Sequence, residues 1–306
     1  MMFSHIPVLL KESIKALNIN PDGIYVDCTA GGGGHSELIL SGLKNGRLIM
    51  IDRDPDAVST LVDKFSSDKR VTIINDRFSN ISAILKSLKI EKVHGILADL
   101  GVSSFQLDSE ERGFSFHKDA PLDMRMSKKG INAFDVVNNY PQDKLRKIIT
   151  LYGEEKYASS IAKNIVLKRE KAPIETTAQL VEIIRGSMPK AALRAAHPAR
   201  RTFQAIRIEV NGELDEIKSA LPDMFESLSR GGRMAIITFH SLEDRIVKEY
   251  FRTLKTGCVC PREFPVCVCG VKPKAKVKGR ATLPSTDEVE KNPRSRSAKL
   301  RTAIKL

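Results

Sequence analysis

The chain has 306 residues, 42% hydrophobic and 28% charged, a composition of globular soluble material with room for two domains or for one large domain carrying an insertion. Its 50 basic against 37 acidic residues leave a net charge of +13, which favours a polyanionic partner. No apolar run approaches the roughly 18–20 residues of a membrane span, the first residues lack the pattern of a signal peptide, and five cysteines in a chain this long are not a disulfide framework. The expectation is a cytoplasmic protein with no membrane partner.

Residues 7–17 read as a short amphipathic helix, with Val8, Leu9, Ile14 and Leu17 apolar and Lys11, Glu12 and Lys15 polar. The helix is expected to cover a sheet edge; the preceding His5 is a possible ligand contact, although a lone histidine is more often structural. The run Ile24-Tyr25-Val26-Asp27-Cys28-Thr29 then reads as a buried strand, followed at once by Gly31, Gly32, Gly33 and Gly34 and by a helical pattern through Leu38, Ile39 and Leu43. Strand, glycine turn and helix form the unit that cradles a nucleotide-like cofactor, because glycine lets the backbone turn sharply and approach a ligand with no Cβ in the way. A second strand, residues 47–52, ends in Asp52, which lies 19 residues past Gly33 (52 − 33) and is placed to accept hydrogen bonds from ribose hydroxyls. A helix N-cap before Pro55 is the competing structural role for Asp52.

The rhythm continues through a helix at 55–65, a strand at 71–75 tipped by Asp76, Arg77 and Phe78, a helix at 79–88 and a strand at 93–97 leading to Asp99. Phe78 offers a flat face to an adenine ring. Asp27, Asp52, Asp76 and Asp99 put an acid at or just after each of four strand tips, on the rim where doubly wound sheets bind ligands. The G-x-G-x-x-G turn of a dinucleotide enzyme is absent. A carboxylate stands at the first strand end, which suits a cationic sulfonium or amino-acid group better than a pyrophosphate. This pattern resembles the S-adenosylmethionine methyltransferase fold, with NAD a distant second, so the fold class expected is α/β, a doubly wound Rossmann-like methyltransferase sheet.

From residue 105 to 208 the alternation gives way to helical patterns, at 141–151, at 154–169, and after the capping box of Thr176 and Gln179. The domain reading is a discontinuous methyltransferase domain, 1–104 and 209–306, with an inserted helical substrate-recognition subdomain at 105–208; a stabilising lid is the alternative. Phe105, Phe114 and Phe116 at its start are read equally as base-stacking groups or insert core. Its basic end, Lys190, Arg194, His197, Arg200, Arg201 and Arg207, is a candidate phosphate contact. A helix at 212–228 and a fifth strand at 233–239 resume the sheet; His240 is a possible substrate contact, and Ser241 with Asp244 has capping-box spacing.

Cys258, Cys260, Cys267 and Cys269 form a C-x-C…C-x-C pair able to hold a structural zinc, although C-x-C is less typical than C-x-x-C, and no catalytic metal site is read. Residues 271–306 carry eleven Lys or Arg against three acids, a net +8 (11 − 3). A mobile loop is expected at 271–290, followed by a terminal strand at 299–306.

The segments Asp27-Cys28-Thr29, Gly31 to His35 and Ser36, Ile51-Asp52-Arg53-Asp54-Pro55, Asp99-Leu100-Gly101-Val102-Ser103-Ser104-Phe105-Gln106, Arg112-Gly113-Phe114-Ser115-Phe116, Phe239-His240-Ser241-Leu242-Glu243-Asp244-Arg245 and Arg294-Ser295-Arg296-Ser297-Ala298-Lys299-Leu300-Arg301 together resemble the bacterial 16S ribosomal RNA cytosine-N4 methyltransferases, the MraW or RsmH family. The resemblance implies S-adenosylmethionine-dependent methylation of the exocyclic N4 of a cytosine in the decoding centre, with 16S rRNA of the small ribosomal subunit as partner. It also implies cofactor contacts at Gly33, Gly34, His35, Asp52, Phe78, Asp99 and Gln106. Asp99, at the place where other amino-methyltransferases carry an Asp/Asn-Pro-Pro-aromatic motif, is the candidate acceptor for the N4 hydrogens. The competing classes are an NAD-dependent oxidoreductase and a non-catalytic RNA-binding ribosome-assembly factor. The oligomeric state is not legible, and a dimer stays open.

Overall fold

The computed structural model describes residues 7–194, 197–257, 260–261 and 263–306, without the side chains of Ser104 and Arg194. His5 and Cys258 lie outside the described residues. The chain divides into two compact units, Met1–Gly101 with Leu214–Leu306, and Val102–Glu213. Among the described residues no helix is long and apolar enough to cross a membrane.

The first unit opens with α1 (Leu10–Leu17) and then alternates β1 (Ile24–Asp27), α2 (Gly34–Ser41), β2 (Arg47–Asp52), α3 (Pro55–Phe65), β3 (Val71–Asn75), α4 (Ile81–Ser87) and β4 (Val93–Asp99). Runs such as Leu48-Ile49-Met50-Ile51 form central strands because both of their faces are covered and no polar alternation is needed. The four strands are parallel, β1 pairing with β2 from Ile24↔Arg47 to Asp27↔Met50 and with β4 from Tyr25↔Gly95 to Asp27↔Leu97, and β2 pairing with β3 up to Asp52↔Asn75. This register sets the ends of β1, β2 and β4 side by side.

The second unit holds α5 (Ser104–Asp108), α6 (Ala133–Asn139), α7 (Gln142–Gly153), α8 (Ala158–Arg169), α9 (Thr177–Gly186) and α10 (Arg200–Asn211). Its core is apolar: Leu145, Ile148 and Ile149 of α7 meet Ile161 and Ile165 of α8, Ile184 of α9 and Phe203 and Ile206 of α10. The capping box of Thr176 and Gln179 forms as the sequence predicts, with Thr176 Oγ1 accepting the Gln179 N–H and the Gln179 amide oxygen accepting the Thr176 N–H.

The chain re-enters the sheet through α11 (Glu213–Ser227) and β5 (Leu228–Thr238), which pairs parallel with β4, and closes with α12 (Ser241–Lys255), β6 (Ala275–Val277), α13 (Thr286–Lys291) and β7 (Lys299–Lys305). The seven strands lie in the order β3-β2-β1-β4-β5-β7-β6, with β7 antiparallel to β5 and β6 antiparallel to β7. The sheet is thus a Rossmann-like α/β sheet with an antiparallel edge, its parallel part as the sequence rhythm predicts.

Two expectations are corrected here. Residues 271–290 are not a mobile loop: they contain β6, an antiparallel bridge from Thr282 to Leu300 and the start of α13, which is tied back to the chain start by the Leu9 N–H on Glu288 Oε1 at 2.7 Å. Basic composition suggested disorder, but pairing along β7 overrides it. The capping box of α12 is formed by His240 and Glu243, not by Ser241 and Asp244. His240 keeps extended backbone (φ −135°) after the strand, so Ser241 is already helical, and Glu243 Oε2 accepts the N–H groups of Phe239 and His240. Asp244 instead pairs with Arg301 (2.6 Å) and Lys299 (3.1 Å) of β7, which hold its carboxyl below the usual range against the effect of burial.

Candidate cofactor site

The turn after β1 is clamped to both neighbouring strands. Cys28 N–H donates to Leu97 O (2.8 Å) and Ala30 N–H to Ile51 O (3.1 Å), so the loop is pinned as a continuation of the sheet ladder. Side chains complete the clamp. Asp99 N–H donates to Thr29 Oγ1 at 2.6 Å, and Gly31 N–H donates to Asp52 Oδ2 at 2.8 Å. Asp27, only 1% exposed, accepts Ser36 Oγ–H at 2.7 Å and Thr29 N–H at 3.2 Å. Burial raises its pKa to about 6, against the lowering by those two hydrogen bonds. The sequence placed Asp27 on the rim as a ligand-facing acid; the structure makes it the internal brace of the turn.

The four glycines divide into two pairs. A Cβ on Gly33 (φ +84°) would come within 2.6 Å of the Phe65 ring, and one on Gly34 would collide with Pro7. These two, the pair the family resemblance singles out, are required for packing, Gly33 also as the left-handed residue preceding α2. Gly31 and Gly32 face open space: a Cβ on Gly32 meets nothing within 4 Å, and one on Gly31 (φ +52°) meets only Thr29 O at 3.9 Å. Gly31 and Gly32 are therefore the positions of the turn with space beside them for a ligand, although the Gly31 N–H is held by Asp52 and the Gly32 carbonyl accepts Lys64 Nζ at 2.9 Å; sequence reasoning saw the two only as part of a run.

Asp52 keeps both oxygens on the backbone, with Oδ1 accepting the Asp54 N–H at 2.8 Å as well. It is not the cap of α3, because Asp54 fills that place by accepting the Asp56 N–H. Each Asp52 oxygen retains a lone pair for a further donor. Burial raises its pKa to about 6. Asp76 braces its own turn, accepting from Arg77 N–H and Asn80 Nδ2, both at 2.7 Å. Phe78 starts the short 3-10 turn that follows and is partly exposed. One buried residue organises these two tips, and no local pattern marks it: Glu216 of α11 pairs with Arg53 (3.0 Å) beside Asp52 and with Arg77 (2.8 Å) beside Phe78.

At the end of β4, burial pushes the Asp99 carboxyl well above the usual carboxylate range, and the charges of Asp27 and Glu243 push in the same direction. Its Oδ1 is sealed from solvent and accepts no hydrogen bond among the described residues. Oδ2 lies 3.8 Å from His35 Nδ1, while His35 Nε2 is 3.1 Å from Val8 O. Val8 O can only accept, so Nε2 carries the proton and Nδ1 is a bare acceptor facing Asp99. Burial lowers the His35 pKa to about 4, which keeps the ring neutral. With Oδ1 sealed, the 20% of the Asp99 side chain left exposed, next to the turn that Thr29 begins, is the acceptor surface a nucleoside cofactor carrying amine and hydroxyl donors would meet.

Gln106 belongs to the helical unit, where it is buried and closes a capping box with Ser103 at the start of α5. Phe114 is core there, Phe105 is 56% exposed, and Phe116 stacks on His197 with ring centroids 4.3 Å apart. Of the basic run, Arg207 is neutralised by Glu213 (2.8 Å), whereas Lys190, Arg200 and Arg201 are exposed. Cys260, Cys267 and Cys269 gather in the loop after α12.

A mixed seven-stranded α/β sheet, parallel through β1 to β5, with a glycine turn and buried acids on one rim, is the fold of a Rossmann-like methyltransferase. The chain belongs to the MraW methylase family, whose model matches residues 2–306. Curated proteins named ribosomal RNA small subunit methyltransferase H are similar along the whole chain: one from Clostridium botulinum strain 657 is 52% identical over 309 residues, covering 100% of both chains, and one from Caldicellulosiruptor bescii is 54% identical over 308 residues, again covering 100% of both. Among solved structures, an rRNA methylase from Streptococcus thermophilus is similar over 99% of each chain, at 12% identity and a TM-score of 0.45.

Proposed function

We propose that the protein transfers a methyl group from S-adenosylmethionine to the exocyclic N4 of a cytosine in the decoding centre of 16S rRNA. Bound S-adenosylmethionine supplies an electrophilic methyl group on a sulfonium. In this reading Gly31 and Gly32 leave space for the cofactor, Asp52 accepts from ribose hydroxyls with its remaining lone pairs, and Phe78 packs on the adenine. Gly33, Gly34 and His35 hold the turn and the helix start in place.

The observation that carries the reading is the Asp99 carboxyl at the end of β4: its Oδ1 is sealed without a partner among the described residues, while the side chain keeps 20% exposure through the rest of the group. A cationic ligand at the rim favours its ionised form. The carboxylate then accepts an N–H of the target amine, returning electron density to a nitrogen whose lone pair is otherwise delocalised into the ring. It takes the proton that nitrogen loses as the N–C bond forms. A carboxyl with a raised pKa suits that task. The helical unit, with Lys190, Arg200 and Arg201 exposed, supports an RNA-binding role, since phosphate contacts position a substrate of this kind. The relatives' names support small-subunit rRNA as the substrate.

The test is transfer of tritiated methyl from S-adenosylmethionine to small subunits isolated from cells lacking the gene, followed by mass spectrometry of the rRNA. One N4-methylated cytosine, dependent on Asp99, is expected. Label on a different atom, or binding to the subunit with no transfer, would replace the reading by another target or by an assembly role.

A further inference from the structure

We infer that Cys260, Cys267 and Cys269 form a thiolate site for a zinc-class divalent cation, which fastens the loop between α12 and β6. The proposal is independent of the methyl-transfer reading.

The three Sγ atoms lie within 4.8 Å of one another, and Cys267 and Cys269 are 3.5 Å apart. Ligands at about 2.3 Å in tetrahedral arrangement stand about 3.8 Å from each other, so the cluster needs only small side-chain adjustments to close on one ion. All donors are sulfur. That set selects a soft, four-coordinating d10 cation over magnesium or calcium, which take oxygen ligands. Cys258 repeats the C-x-C spacing in the sequence and is the natural candidate for a fourth ligand; because it lies outside the described residues, the inference rests on the other three.

The loop itself supplies the second argument. Its base is pinned: Lys274 N–H donates to Leu254 O at 2.8 Å, and a Cβ on Gly257 would come within 2.6 Å of Pro273. Beyond the base it has no core. Phe264, Val266, Val268 and Val271 are exposed, Val266 at 69% and Val268 at 72%. A long connection between elements, with no helix or strand among its described residues and its described apolar residues in water, has little to offset its ordering entropy. Yet it brings three sulfurs together around a turn closed by Phe264 N–H on Pro261 O (3.2 Å) and a left-handed Gly270 (φ +64°). A bound cation provides the missing cross-link. Each thiol that binds gives its proton to solvent, so no oxidant is required and affinity rises with pH.

The test uses full-length protein without a histidine tag, expressed with zinc and dialysed without chelator. Elemental analysis is expected to give about one zinc per chain. Cobalt substitution is expected to add the sulfur-to-cobalt charge-transfer band of thiolate ligation. A Cys260→Ser, Cys267→Ser, Cys269→Ser variant should retain less than a tenth of the metal, with its far-ultraviolet circular dichroism unchanged, and limited proteolysis should cleave its loop at least about tenfold faster. Cys258→Ser, measured beside it, reports whether that sulfur completes the shell. The inference is overturned if the protein takes up no stoichiometric zinc or cobalt, if the triple variant keeps the metal, or if the protein as purified under reducing conditions has a mass showing these cysteines oxidised in pairs.

Discussion

Both units have an apolar core, but they differ in what else they bury. The helical unit buries leucine and isoleucine from four helices against one another. The α/β unit places Asp27, Asp52, Asp99 and His35 behind its first turn, and burial moves each of them away from its preferred charge state. A core of the first kind is judged by volume alone. An arrangement of the second kind costs stability and makes physical sense where something must bind, because strained ionisations gather where a ligand or a reaction uses them.

The largest expected effect tests that difference at the rim. Asp99→Asn keeps the side chain's shape and removes both its charge and its basicity; methyl transfer should fall by about 100-fold or more, while the thermal midpoint holds or rises. Near-normal turnover would remove Asp99 from the chemistry. In the same unit, Glu216→Ala leaves Arg53 and Arg77 without their buried carboxylate and should cost about 3–5 kcal/mol in denaturant unfolding. In the helical unit, Ile161→Ala removes a fully buried side chain of α8, for about 2–5 kcal/mol, and that loss should not change with pH.

The pH dependence sharpens the contrast. Asp27 has a folded pKa of about 6 against an ordinary 3.8, so its folded form holds a proton that the unfolded chain releases earlier. Its contribution is fully present below about pH 4 and is lost as pH rises through 6. At pH 7 the remaining penalty is on the order of 2–3 kcal/mol. His35 acts oppositely. With its folded pKa lowered to about 4 from 6.5, its contribution is present above pH 6.5 and is lost as pH falls through 4. Asp52, also raised to about 6, and Asp99, raised further, act in the same sense as Asp27, so wild-type stability should fall overall between pH 4 and 6.5, with Asp27→Asn flattening that slope and His35→Gln steepening it. Parallel profiles for the two variants would contradict the assignment. The smallest effect belongs to the insert: Thr176→Ala removes the cap of α9 and should cost about 1 kcal/mol.

Much of this was legible in the sequence because parallel strands covered on both faces need continuous apolar runs, and their tips are then countable. Residues 24–29, 47–52 and 93–97 announced themselves in that way. Helix spacing similarly exposed Leu145, Ile148 and Ile149. What escaped depended on long-range partners. Nothing local distinguishes Glu216 from a solvated helix residue, yet it joins two strand tips. The distinction between Gly31 and Gly32, which face open space, and Gly33 and Gly34, which pack on Phe65 and Pro7, requires knowing what stands opposite each Cα. The tail failed for the same reason: its charges predict disorder, and only the free edge of β7 explains β6.

The central claim is that the glycine turn at the rim receives the adenosyl cofactor, and Gly32 tests it most directly, because a Cβ there meets nothing within 4 Å. Calorimetric titration with S-adenosylhomocysteine should show one site per chain in the wild type. In Gly32→Leu the affinity should be at least about tenfold weaker, roughly 1.4 kcal/mol, with an unchanged melting midpoint. Equal affinity in the two proteins, or a wild type that takes up a pyridine dinucleotide and not the adenosyl ligand, would contradict it.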